Sequence, residues 1–136
     1  MPIVAEGISL NPDKTLNFGN HTAKEKVKVK DFDVDGRLYS VKTHNEVTRL
    51  EQDGKMLIEC VPGASFFNFR VTETEAVCEA SGAGVTNFTM ELIPDAEYKV
   101  YVGGPVIGSM KAGMSGKISF SAELDEKPVK IEIKKL

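Results

Sequence analysis

The most pervasive regularity along the chain is a two-residue alternation of apolar and polar positions, the period of a strand with one buried and one wet face. Lys26-Val27-Lys28-Val29-Lys30 alternates charge with valine, Phe32 and Val34 continue the apolar face, and Asp35-Gly36 supplies a favoured tight hairpin turn. Residues 38–41 return from it. Asp53-Gly54 makes a second such turn before the apolar run 56–61, which Pro62-Gly63 ends. The aromatic and β-branched stretch 66–71 is followed by a hairpin partner at 75–80. A strand over 85–93 closes at Pro94-Asp95, and 97–102 and 106–110 flank Gly103-Gly104. Ser115-Gly116 introduces 117–124, whose alternation is nearly ideal, and 127–135 carries Val129, Ile131 and Ile133 on one face.

No stretch shows an apolar stripe at helical spacing with caps, so helix is confined to a turn or two near 21–26 or 44–50. Ten to twelve short strands with glycine-rich turns predict an all-β protein, an antiparallel β-sandwich of jelly-roll or immunoglobulin-like type with little or no helix. The 136 residues fit a single domain, 1–136, since no repeat, linker or low-complexity tract marks an internal boundary.

Composition narrows the partners. The formal charge is −3, and the lysines are interspersed with carboxylates in sequence, so a nucleic-acid partner is not expected. The start lacks a basic segment followed by a long apolar run, and no transmembrane-length apolar stretch occurs; the expected location is cytoplasmic, with no membrane partner. Cys60 and Cys78, without a secretory signal, are expected as reduced core residues.

Candidate chemistry is sparse. Asp31-Phe32-Asp33-Val34-Asp35-Gly36 opens like a calcium loop, but the twelfth position, where a bidentate glutamate is required, is Lys42. The simpler reading is a strand whose wet face carries aspartates. His21 and His44 are not at zinc-binding spacing, and Cys60, inside an apolar strand, is placed for packing rather than nucleophilic attack. Gly82-Ala83-Gly84 and Gly103-Gly104-Pro105 precede strands rather than helices, so they read as turns rather than phosphate cradles. No cofactor and no metal are called for. Two groups remain as candidate interface or ligand contacts. One is the N-terminal segment 2–10, apolar at Ile3, Val4, Ile8 and Leu10, which can pair with its own sheet or be exchanged with a neighbour. The other is the aromatic set Tyr39, Phe67 and Tyr101, which could face a sugar.

Thr15-Leu16-Asn17-Phe18-Gly19-Asn20, the lysine-rich 24–30, Asp35-Gly36-Arg37-Leu38-Tyr39-Ser40-Val41-Lys42-Thr43, Val61-Pro62-Gly63, and 98–100 through 116–121 carry a resemblance. Over most of its length the chain resembles a group of short, uncharacterised Gram-positive bacterial proteins that often bear the label "endosialidase". The resemblance implies no catalytic residues. Sialidases use a large propeller with repeated aspartate-box turns and an arginine triad; this chain has three arginines, Arg37, Arg49 and Arg70, but no such box and no tryptophan. The expected function is therefore a non-catalytic structural or interaction module that self-associates or docks on a protein partner through a strand edge. A carbohydrate-binding module is the alternative, and a polysaccharide hydrolase a third, for which no acid–base pair can be named.

Overall fold

The computed structural model describes residues 3–136. Thirteen strands and no helix make up the described chain. They are β1 (Ile8–Leu10), β2 (Leu16–Phe18), β3 (Val27–Val34), β4 (Arg37–Thr43), β5 (Thr48–Gln52), β6 (Lys55–Val61) and β7 (Ala64–Val71), then β8 (Glu75–Gly82), β9 (Gly84–Glu91), β10 (Glu97–Val102), β11 (Val106–Lys111), β12 (Lys117–Leu124) and β13 (Val129–Lys135). One antiparallel sheet has the order β1-β2-β7-β8-β13-β10-β11, the other β12-β9-β6-β5-β4-β3. The two pack face to face as a sandwich.

The alternation in sequence becomes rows of side chains across each sheet. Val29, Val41, Leu50, Ile58, Met90 and Ile118 stand directly opposite one another on six consecutive strands and form one inner row of the six-stranded sheet. A second inner row runs Val27, Thr43, Thr48, Cys60, Phe88, Phe120. On the facing sheet, Ile8, Phe18, Phe66, Ala80 and Val129 make the matching row. Phe18 stacks on Phe66 at 4.7 Å, Phe66 meets Phe88 edge-on at 6.1 Å, and Phe88 stacks on Phe120 at 4.9 Å, so one aromatic line joins the two sheets.

The two predicted tight turns form as their sequence demands: Asp35 and Gly36, and Asp53 and Gly54, all adopt positive φ, the requirement of the hairpin turn that matches strand twist. Residues 44–50 are not helical; they lead into β5, where Thr48 and Leu50 face the core and Arg49 faces out. The stretch 21–26 is irregular and turn-like rather than helical. β2 is an addition to the expected strands, too short for its alternation to stand out. Register shifts interrupt several strand pairs; two of them carry a residue at positive φ, Asp31 in β3 at 57° and Asn68 in β7 at 55°.

A polar seam crosses the core. The Thr48 hydroxyl donates to the Ala64 carbonyl at 2.7 Å and accepts from the Ala64 N–H at 3.1 Å, linking β5 to β7 of the opposite sheet. Thr43 and Thr48 share a 2.7 Å hydroxyl bond, and Thr43 accepts the Asn20 N–H at 2.8 Å.

Candidate functional site

The sequence-derived contacts divide among separate surfaces. Val4 and Ile8 are core residues, 5% and 4% exposed, and Ile3 is half-buried. The Val4 N–H bonds the Gly19 carbonyl, the Gly19 N–H bonds the Gly7 carbonyl, and β1 pairs with β2. Within the single chain the N-terminal segment thus pairs with its own sheet; Pro2 lies outside the described residues.

The three aromatic candidates share no platform. Tyr39 points between the sheets at one end of the sandwich, its hydroxyl accepting a 2.8 Å bond from Gln52 Nε2. Phe67 lies on the outer face of the seven-stranded sheet opposite Glu79. Tyr101 is on that same face three strands away, opposite Glu132, with the Lys134 ammonium 5.4 Å from its ring centre.

What sequence order concealed is a concentration of cations. The inner row through Val29 and Val41 forces Lys28 and Lys42 to the outer face of the six-stranded sheet. There Lys28, Lys42 and Arg49 stand directly opposite one another on β3, β4 and β5. With Lys30, Ser40 and Glu51 they line a shallow groove of about 320 Å³. Arg49 bonds Glu51 at 3.0 Å and Glu59 at 3.2 Å, while Lys28, Lys30 and Lys42 make no ion pair among the described residues. Like charges directly opposite on neighbouring strands are destabilising, so this row is a local excess of positive charge on a chain of net charge −3. Adjacency across strands, not along the sequence, creates it.

A second feature is the free edge of β12. Its eight residues pair with β9 in unbroken register from Lys117–Glu91 to Leu124–Gly84, and no described strand pairs with its other side. The other three edges are modified in ways that discourage further pairing. β1 has three residues, β11 is kinked by a register shift opposite Tyr101 and led by Gly103-Gly104-Pro105, and β3 is bulged and densely charged. β12 carries charge only near its ends, at Lys117 and Glu123.

Asp31 and Asp33 project from the exposed face of β3, with Asp33 capping the turn through the Gly36 N–H at 2.9 Å. No cluster of metal-ligating side chains occurs among the described residues. Cys60 and Cys78 are free and buried on the inner faces of opposite sheets, and burial pushes both thiols up to about 12, which keeps them protonated and unreactive. His21 Nδ1 lies 2.7 Å from Ser65 Oγ, and both residues are buried.

His21 Nε2 is buried without a hydrogen-bond partner among the described residues. A proton on Nδ1, directed at Ser65, leaves Nε2 a bare acceptor rather than a stranded donor. Burial lowers the His21 pKa below 6.5, against an opposing pull from Glu126. Below that value the unfolded chain takes up a proton that the folded chain resists, so stability falls as pH drops. Urea midpoints are expected to decline between about pH 7.5 and 5.5, and His21→Asn to flatten that decline. An equal slope in both proteins would remove His21 as its source.

Compared with known proteins, the chain matches no family model, no curated protein and no solved structure. No helix in the described residues is long and apolar enough to cross a membrane.

Proposed function

We propose that the chain is a non-catalytic interaction module that self-associates through a strand edge, or docks by that edge on a protein partner. The observation that carries this reading is β12: eight residues, no bulge, no proline and one side without a described partner strand. Unpaired N–H and C=O groups along such an edge are a template for an added strand, and main-chain bonds supply the affinity. Val4 and Ile8 are buried in the chain's own sandwich, so the reading rests on β12 rather than on the N-terminal segment. Deleting residues 1–10 is accordingly expected to lower the melting temperature sharply, which makes it a poor probe of assembly. Light scattering of the intact chain over a wide concentration range is the direct test. A mass that rises with concentration supports the reading; a monomer throughout overturns self-association.

A second reading follows from the cationic groove. If the module binds a carbohydrate, the row Lys28–Lys42–Arg49 favours an acidic one, held by charge and by the Ser40 hydroxyl rather than by stacking on aromatic rings. Polygalacturonate is expected to bind, weakly at high salt and tightly at low salt, while neutral dextran does not. Equal binding of both polymers, or of neither, would exclude this reading, as would indifference to Lys42→Glu.

A further inference from the structure

β12 reads nearly the same in both directions. Along Lys117-Ile118-Ser119-Phe120-Ser121-Ala122-Glu123, Phe120 is the centre, two serines flank it, two small or medium apolar residues follow, and opposite charges stand at the ends. We infer that the strand edge proposed above takes a second copy of this chain. In that arrangement β12 pairs antiparallel with its own counterpart about a two-fold axis at Phe120, and the two six-stranded sheets become one continuous sheet.

A two-fold interface is self-complementary: if residue i of one copy meets residue j of the other, j must also meet i. Centred on Phe120, antiparallel pairing places Lys117 opposite the second copy's Glu123, Ile118 opposite Ala122, Ser119 opposite Ser121, and Phe120 opposite Phe120. All these pairs keep inner residues with inner and outer with outer, as strand geometry requires. Each charged contact occurs twice by symmetry. Sliding the register by two residues toward Ser119 leaves both lysines facing serines, and sliding it the other way separates the two phenylalanines. The centred register alone satisfies the charges and the rings together within the strand.

Ser119 and Ser121 already contact Thr89 and Asn87 across β9, but the charged ends and Phe120 have room for a partner. Lys117 faces Glu91 across β9, but that carboxylate is bonded by Lys55 at 3.6 Å. Glu123 faces Val85, which is apolar and exposed. Phe120 is half-buried, one face stacked on Phe88 at 4.9 Å and 15°. A second Phe120 directly opposite would continue the aromatic line from Phe18 through Phe66 and Phe88 across the two-fold axis. Ile118 and Ala122 are already buried within the chain, so the association gains from Phe120, the terminal charges and the main-chain ladder.

This inference rests on the strand-edge reading and is tested so that the two can fail separately. Lys117 and Glu123 are exposed, so Lys117→Glu and Glu123→Lys are expected to fold normally, which thermal melts will check. By light scattering and sedimentation, the parent is expected to dimerise. Each single variant, with like charges meeting twice, should dimerise at least about tenfold more weakly. Mixed in equal amounts, the two single variants should form a heterodimer of parental strength, because the acidic edge of one meets the basic edge of the other. The double exchange Lys117→Glu with Glu123→Lys should restore the homodimer. A parent multimer indifferent to all of these changes overturns the β12 pairing and leaves association through another edge; a parent that stays monomeric at every concentration overturns the β12 pairing together with self-association, and leaves only docking on a different protein.

Discussion

Gly19→Ala is expected to be strongly destabilising for a change that adds a single methyl. Gly19 follows β2 at φ 100°, where an L-residue is strained, and a Cβ built there would lie 2.3 Å from the Ala64 carbonyl oxygen and 3.1 Å from Ser65 Cα. Both neighbours are backbone of β7, held in register against β8, so neither can swing aside as a flexible side chain would. The same glycine accepts the Val4 N–H and donates to Gly7, which fastens the N-terminal segment. Positive-φ strain of about 1–3 kcal/mol and the forced displacement of β7 together predict a loss of about 4 kcal/mol or more in urea denaturation. That is a large share of the roughly 5–15 kcal/mol typical of a domain. Gly36→Ala separates the two contributions. Gly36 has φ 87° but nothing within 4 Å of its Cβ position, so it should cost only about 1 kcal/mol. Comparable losses at the two sites would show that crowding against β7 contributes little.

The contrast between these glycines also marks what can be read from sequence. Asp35-Gly36 and Asp53-Gly54 are legible because the turn's requirement is local, two consecutive residues with positive φ between alternating strands. Gly19 is conspicuous only once β7 is beside it, a neighbour some 45 positions away in the chain. The strands were legible for the same reason as the turns. Wherever alternation ran for five residues or more, as in β3 and β12, it marked a strand; β2, with three residues, left too short a pattern, and β5 was obscured by the adjoining irregular residues 44–47.

The candidate site was less legible than the fold. Reading along the sequence, Lys26, Lys28 and Lys30 are offset by Asp31, Asp33 and Asp35, and the segment looks electrically balanced. Across the sheet the balance is lost, because Lys28 lies against Lys42 and Arg49 rather than against the aspartates. The β12 edge was concealed differently. Its near-palindrome is visible in the sequence but acquires meaning only when β12 is the last strand of its sheet, a fact set by which strands cross between layers. The aromatic residues proposed as a sugar platform fell on different faces because Tyr39 belongs to the inner face of one sheet and Phe67 and Tyr101 to the outer face of the other.

Thr48→Val should be nearly as costly as Gly19→Ala, although it conserves shape and adds apolar surface. The Thr48 hydroxyl has one proton, which goes to the Ala64 carbonyl at 2.7 Å; the 2.7 Å contact with Thr43 must then be donated by Thr43, whose own oxygen accepts the Asn20 N–H. Bonds therefore run in one direction, from the Asn20 N–H through Thr43 and Thr48 to Ala64, with the Ala64 N–H returning to Thr48 at 3.1 Å. Valine at 48 leaves the Ala64 N–H, the Ala64 carbonyl and the Thr43 hydroxyl without these partners, in a core where Thr43 and Ala64 have no exposed surface. Each stranded buried group costs about 1–3 kcal/mol, so the three together are expected to cost at least about 3 kcal/mol. Serine keeps the hydroxyl and loses one methyl, at about 1 kcal/mol. Urea denaturation should thus rank the native chain above Thr48→Ser and Thr48→Ser above Thr48→Val. Thr43→Val combined with Thr48→Val should cost less than the two single changes added together, because the second removes a group the first had already stranded. If valine at 48 proves as stable as serine, the seam is packing that happens to contain hydroxyls, and the two sheets are held at this point by apolar contact alone.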